Sequence, residues 1–383
     1  MSFDPHSNEW LLNRFEIYKD LRTRDTAYWS DKFQAYVITR YDDVYFALTN
    51  PKIFSSARGN LLIETAVRYQ KTLGASDNPY HTEFKNIVLN AYTKDNVDRI
   101  VSVFREKMIG HFDNKTEINI SEITDDLSAW MVTELLNFPV DKDIMHNTIL
   151  NIHQNEPNIH VFGPDDHPKD LKDEYTLIYE TFRLRPPSLG PGVYHECMNN
   201  NPKNLDSIFL VIANILSGTG SLVGALQYLT LDMYEQNQLD VLLNDRSLIP
   251  DAVNESLRFH TSTGRFGRSV TEEITMHGIN LKPGDRVVLC LESANHDPTK
   301  FTNPEEFILS RNDNVKHLGW GYGIHACIAL AISKEILAVY LETLLDKAGK
   351  YDIMTKHSDL KYTYVKGGNI DIMSNIMLRT ANA

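Results

Sequence analysis

His317-Leu-Gly-Trp-Gly-Tyr-Gly-Ile-His-Ala-Cys-Ile-Ala-Leu-Ala-Ile-Ser-Lys-Glu335 is the stretch that decides how the rest of the chain is read. Gly319, Gly321 and Gly323 alternate, so the backbone can turn tightly and admit something large and flat at close range. Cys327 follows, and Ile328, Ala329, Leu330, Ala331 and Ile332 then begin a helical pattern. A cysteine at a helix start meets unpaired N–H groups and the positive end of the helix dipole, which favours thiolate over thiol. A thiolate is a good soft ligand for iron. A cysteine among apolar residues is by itself ordinary packing; the spacing of its neighbours is what separates the two readings.

The run Gly-x-Gly-x-His-x-Cys, here Gly321, Gly323, His325 and Cys327, resembles the haem-binding loop of the cytochrome P-450 family, whose pattern is Phe-Gly-x-Gly-x-His-x-Cys-x-Gly. The chain departs at both ends. Trp320 stands for Phe and Ala329 for the last Gly, so an aromatic and a small residue are kept and the ligand remains.

Composition sets the outer bounds. A chain of 383 residues, 42% of them hydrophobic, can bury a large core. A net charge of −13 argues against a general nucleic-acid binder. Cys197, Cys290 and Cys327 are far apart and odd in number, which fits a reducing compartment and no disulfide framework. The N-terminal residues lack a basic-then-apolar signal pattern, and apolar runs such as 209–212 are too short to span a bilayer. The expectation is a soluble, cytoplasmic protein without membrane or nucleic-acid partners, similar to the soluble bacterial branch of the family.

Along the chain, residues 9–24 have near-helical apolar spacing, 35–40 read as a strand and 42–48 as a short helix ended by Asn50-Pro51. Residues 55–76 lack periodicity. Asp77-Asn-Pro-Tyr-His-Thr-Glu-Phe-Lys85 resembles the family's Asp-Pro-Pro-x-His-x-x-x-Arg and sets His81 and Lys85 on one helix face. Lys85 keeps the charge of the usual Arg but not its planar fork. Residues 93–150 are helical with polar breaks, and 151–205 read as irregular, with 183–192 excluded from regular helix by prolines. Such a segment suggests a lid or binding loop.

Residues 206–236 form a long apolar helix with Ser217-Gly-Thr-Gly-Ser221 at its middle. Two glycines there cost about 1 kcal/mol each relative to alanine, which a bulge or a close ligand approach would justify. The segment resembles the family's oxygen-binding helix, (Ala/Gly)-Gly-x-(Asp/Glu)-Thr, but Gly220 falls where the acid belongs and Ser221 where the Thr belongs. Glu255 and Arg258 resemble the Glu-x-x-Arg motif, which is informative only because it precedes the cysteine by roughly seventy residues. Residues 286–291 read as a strand containing Cys290, a core position, and segments 293–298 and 301–311 resemble further family landmarks.

The resemblance spans residues 35 to 375 and implies a mainly α fold with small β-sheets (α+β). It also implies a single domain over 1–383, with haem between the long central helix and the helix after the cysteine loop. The cofactor implied is haem b with Cys327 thiolate as axial ligand. His81, Lys85, Arg268 and His325 would hold its propionates, with Trp320, Gly321 and Ala329 around it. Ser217, Gly218, Gly220 and Ser221 would serve catalysis on the oxygen side, and Ala213, Leu216, Thr263, Gly264 and Ile370 would line the substrate pocket. Glu255, Arg258 and Arg311 would form a structural ion network. Arg58, Arg68 and Arg265 are candidates for positive charge near the pocket, set against the plainer reading that they face solvent or a propionate.

The function implied is a monooxygenase that activates O2 reductively and oxidises a small organic substrate, drawing electrons from a ferredoxin or flavodoxin with its reductase. The Gly220/Ser221 departure keeps two alternatives open. One is atypical chemistry on the same fold, such as peroxide-driven oxidation, aromatic coupling or nitration. The other is a haem-thiolate binding or sensor protein without turnover.

Overall fold

The computed structural model describes residues 3–64, 69–112, 115–155, 172–200, 206–313, 316–348, 351–355, 360–364 and 370–380, and for 8, 11, 172, 206–217, 348 and 361–364 the backbone alone. Helix α1 (Asn8–Thr23) leads into strands β1 (Tyr28–Ser30) and β2 (Ala35–Ile38), helix α2 (Tyr41–Thr49) and strand β3 (Phe54–Ser55). Helices α3 (Tyr80–Asn90) and α4 (Lys94–Phe112), strand β4 (Glu117–Asn119), and helices α5 (Ile120–Leu136) and α6 (Lys142–Asn155) follow. Then come α7 (Lys172–Leu184), α8 (Val193–Asn200), α9 (Asp206–Glu235), α10 (Leu239–Asn244) and α11 (Ile249–Phe259). Strands β5 (Arg265–Val270), β6 (Ile274–Met276), β7 (Ile279–Leu281) and β8 (Arg286–Cys290) precede the single turn α12 (Leu291–Ala294). After a long loop the chain closes with α13 (Leu330–Ala348), β9 (Tyr351–Ile353), β10 (Lys361–Tyr364), β11 (Asp371–Ser374) and β12 (Met377–Thr380).

Local chemistry accounts for these elements. In α5 the Asn119 side chain accepts from the N–H groups of Ser121 and Glu122 at the start, and Asn137 ends the helix in the left-handed region at φ 45°. Between them Leu127, Val132, Leu135 and Leu136 are buried, and the helix packs on α4, α6 and α9. Side chains of these helices, with α11 and α13, make the main apolar core. A second core lies between α2 and the sheet ordered β1-β2-β8-β5-β3. Strand β2 runs parallel to β8, and β5 antiparallel to it with Arg268 opposite Val287. A three-stranded sheet β4-β12-β9 and the pair β10-β11 close the far side. The mainly helical fold with small sheets is the one expected. Among the described residues no helix is long and apolar enough to cross a membrane.

Two expectations are corrected. Helix α9 is α-helical from Asp206 to Glu235, so of the two justifications for its glycines the bulge is excluded, while Gly218 lines a cavity. One glycine in it serves packing instead: a Cβ on Gly224 would lie 2.7 Å from Asp371 O and 3.0 Å from Ser262 Cβ, so α9 presses on β11 at that point. The segment read as irregular over 151–205 contains the end of α6 and helices α7 and α8. Tyr175, Ile178 and Phe182, and then Val193, Tyr194 and Cys197, recur at helical spacing and are buried. The non-helical part between them is 185–192; residues 156–171 and 201–205 lie outside the described residues.

Glu255 and Arg258 are both fully buried in α11 and pair at 2.8 Å. Arg311 Nε reaches the same carboxylate at 2.8 Å. Arg258 also donates to the carbonyl oxygens of Asn295, Pro304 and Glu306. Asn295 Oδ1 in turn accepts from the Leu318 N–H at 2.6 Å, so the network reaches the first residues of the cysteine loop. Replacing Glu255 with Ala leaves two guanidinium groups buried without their carboxylate, which costs about 3–5 kcal/mol. Urea unfolding of Glu255→Ala is expected to show that loss; an unchanged midpoint would contradict the network's structural role.

Candidate active site

The loop before α13 is shaped by protein contacts. Gly321 and Gly323 take φ of 66° and 70°. A Cβ on Gly323 would strike Leu48 O of α2, and one on Gly319 would lie 2.6 Å from Leu257 O of α11. The close approach expected of a flat ligand at all three glycines is, at Gly319 and Gly323, an approach of neighbouring backbone. The Cys327 N–H donates to Trp320 O at 2.8 Å and closes the loop. Cys327 thereby opens onto a cavity of ≈ 290 Å³ that lies between this loop and the middle of α9.

The loop side of the cavity carries His81 and Lys85 from α3, Arg268 from β5 and His325 from the loop itself. The rings of His81 and His325 meet edge to face at 4.3 Å. Lys85 Nζ donates to Ile324 O at 3.1 Å, and Arg268 Nη1 to Gly267 O at 2.7 Å. Burial, then the charges of Arg268, His81 and Lys85, push the His325 pKa down to about 2. Burial likewise lowers Arg268 to about 10, against the pull of Asp77. Among the described residues that line the cavity there is no carboxylate.

Nitrogen-bearing groups packed together without an acid are suited to a ligand that brings its own anionic groups. Two further observations fit such a ligand. Trp320 Nε1 and His325 Nε2 are buried without a hydrogen-bond partner, and both residues line the cavity. Cys327 offers the one thiol among the described lining residues. Enclosure by the cavity walls raises its pKa, and the Ala329 N–H offsets this only in part. Helix α13 begins at Leu330, three residues on, so its dipole acts at longer range. A bound metal cation is what would deprotonate this thiol. The residues present therefore fit a metal-centred, anionic, flat group such as haem.

The opposite wall is built by Gly218, Ser221, Leu222 and Ala225 of α9, with Thr263 and Ile370, which form a β-bridge. Thr263 Oγ1 donates to Ser221 Oγ at 3.1 Å, and Ser262 Oγ to Ser221 O at 3.1 Å. Leu61, Met131, Val132, Leu135 and Phe266 make the rest of this end apolar. Trp320, Gly321 and Ala329 line the cavity as expected from their places in the motif.

Several sequence expectations end elsewhere. Gly220 does not line the cavity: its Cβ direction leads to Ile370, Ile372 and His153. Gly264 packs on Glu292 and Thr261 O. Arg265 is buried in an ion network with Asp371 and Glu292, and Arg58 is exposed, so neither lends charge to the cavity. Arg68 lies outside the described residues, as do the side chains of Ala213, Leu216 and Ser217. Asn60 and Tyr92 line the cavity and carry no sequence signal, since the first sits in a non-periodic loop and the second just beyond a helix end.

Comparison with known proteins agrees with this geometry. The family profile described as Cytochrome P-450 matches residues 238–348, which include Glu255, Arg258, Arg311 and Cys327. Cytochrome P-450 109 of Bacillus spizizenii is 25% identical over 366 residues, covering 89% of this chain and 85% of the relative. The steroid C26-monooxygenase of Mycolicibacterium smegmatis is 24% identical, covering 86% and 84%. The heme domain of the Tepidiphilus thermophilus P-450 superposes with a TM-score of 0.83 at 18% identity, covering 98% of this chain and 96% of that one.

His317 gives the loop a pH dependence. Its Nδ1 accepts from the Gly319 N–H at 3.2 Å. Burial, aided by Lys334 and Arg258, lowers its pKa from 6.5 to about 4. The folded state thus favours the neutral ring. Its contribution to stability is complete above the unfolded value and is lost as pH falls toward the folded one, by roughly 3 kcal/mol in all. Unfolding curves between pH 7 and 4 are expected to be flatter for His317→Gln than for the wild type. Equal slopes would contradict the assignment.

Proposed function

We propose that this chain, similar over residues 238–348 to the cytochrome P-450 family profile, is a haem-thiolate monooxygenase that inserts one oxygen atom of O2 into a small, largely apolar organic substrate. One observation carries this reading: Cys327, His81, Lys85, Arg268 and His325 open together onto one cavity that has no carboxylate among its described lining residues. Haem b, when bound with a thiolate ligand, supplies reductive activation of O2. Cys327 Sγ would ligate its iron, and Arg268, Lys85, His81 and His325 would hold its propionates. Trp320, Gly321 and Ala329 bound the face nearest the cysteine.

At the other end Leu61, Val132, Leu135, Leu222 and Phe266 exclude water and receive the substrate. Ser221 Oγ, held by the Thr263 hydroxyl, positions water and passes protons. Electrons come from a ferredoxin or flavodoxin with its reductase. The monooxygenase names of relatives, among them a steroid C26-monooxygenase, support an apolar substrate.

Cys327→His is expected to abolish the red-shifted absorption of the CO complex that marks thiolate ligation. Survival of that band, or its loss in Cys197→Ser instead, would overturn the ligand assignment.

Ser221→Ala is expected to lower product formed per electron and to raise peroxide release, measured with a substrate found by its shift of the haem spectrum. Unchanged coupling would exclude the Ser221 relay. Turnover with peroxide alone would favour the atypical chemistry, and a spectral shift without product a sensor.

A further inference from the structure

The monooxygenase reaction takes RH, O2, two electrons and two protons to ROH and H2O, so both protons must reach the α9 side of the cavity from solvent. The ionisable side chains among its described lining residues, such as Arg268 and His325, gather on the loop side, and the α9 wall offers only hydroxyls. An ionisable group approaches the middle of α9 from another helix. A Cβ on Gly220 would lie 3.6 Å from Ile370 Cδ1, 3.8 Å from Ile372 Cδ1 and 3.9 Å from His153 Cε1. The imidazole edge of His153, in α6, therefore stands where a side chain at 220 would extend. Its Nε2 lies 3.3 Å from Asp125 Oδ1 of α5, with the histidine side chain 9% exposed and the aspartate 22%. Asp126 next to it is engaged separately by His111 at 2.7 Å and His146 at 3.0 Å.

Resting on the monooxygenase reading, we propose that His153, recharged from solvent through Asp125, is the proton donor that reaches the cavity past Gly220. The ring receives a proton at Nε2 from the Asp125 side and releases one from Nδ1 to water beside Gly220. That water protonates Ser221 Oγ, whose own proton moves on into the cavity. One proton enters at Nε2 and one leaves from Nδ1 per pass, so the ring ends as the other tautomer, and a ring flip restores the starting form before the second pass that completes one turnover. Gly220 stands one position before Ser221, and the ring edge lies at ordinary van der Waals distance, 3.9 Å, from where its Cβ would be. His153 acts through Ser221 and is a positioning and relay residue rather than one that touches the reacting atoms.

The test uses the haem-loaded full chain with a surrogate ferredoxin, its reductase and NADPH, without added organic substrate. It reads the ratio of water to hydrogen peroxide formed from O2, and the H2O/D2O difference in the C–O stretch of the ferrous CO complex. His153→Ala is expected to lower the ratio about tenfold or more and to remove the isotope difference. His153→Gln, which keeps a donor to Asp125 but does not titrate, is expected to match it. In the His153→Ala background, Gly220→Asp is expected to restore both readouts and Gly220→Asn neither. Unchanged readouts in both His153 variants, or equal rescue by Asn, would overturn the proposal while leaving the monooxygenase reading intact. A wild type that reduces no O2 would overturn that reading, and this inference with it.

Discussion

Arg268, His81 and His325 are gathered beside Lys85, and each is pushed toward its neutral form, Arg268 by burial against the pull of Asp77, His81 and His325 by burial and by the neighbouring cationic groups. Such a cluster is unfavourable until an anion arrives, and the rest of the structure is arranged to hold it in place. Arg268 is fixed in β5 by pairing with β8, His81 and Lys85 by one face of α3, and His325 by a loop clamped between Leu48 and Leu257. A ligand carrying two carboxylates and a metal centre offsets the repulsion, satisfies Trp320 and His325, and lowers the Cys327 thiol pKa together. Folding and ligand binding are on this account parts of one free-energy balance.

The loop depends on a second set of charges. Glu255 accepts from Arg258 and Arg311, and Arg258 gathers the carbonyl groups of the segment that leads to the loop. None of these residues lines the cavity. Their role lies in geometry: Asn295, held by Arg258 through its carbonyl, sets Leu318 and so the entry of the loop. On the far side, Gly224 lets α9 sit against β11, which brings Ile370 to the cavity wall opposite Cys327.

Much of this was legible in the sequence, and the failures have physical causes. The cysteine loop, the His81/Lys85 spacing and the Glu255/Arg258 pair are local patterns, and a local pattern fixes which side chains share a face. The direction of Gly220 was not legible, because a helix apolar all round gives no phase from which to tell the cavity side from the packed side. Arg265 looked available because its partners, Asp371 and Glu292, are distant in sequence. Helices α7 and α8 were hidden by the surrounding His, Asn and Pro, although Tyr175, Ile178 and Phe182 carry the spacing. The cavity walls around Cys327, which push its thiol pKa up against the pull of the Ala329 N–H, come from distant parts of the chain and leave no local signal.

The central claim is that this chain presents one sulfur to an iron centre in the cavity between the loop and α9. Iron K-edge X-ray absorption on the haem-loaded protein tests it most directly. The account predicts one sulfur scatterer beside the four porphyrin nitrogens, lost in Cys327→Ser protein. A first shell of nitrogen and oxygen alone in the wild type, or a sulfur that persists in Cys327→Ser, would contradict it.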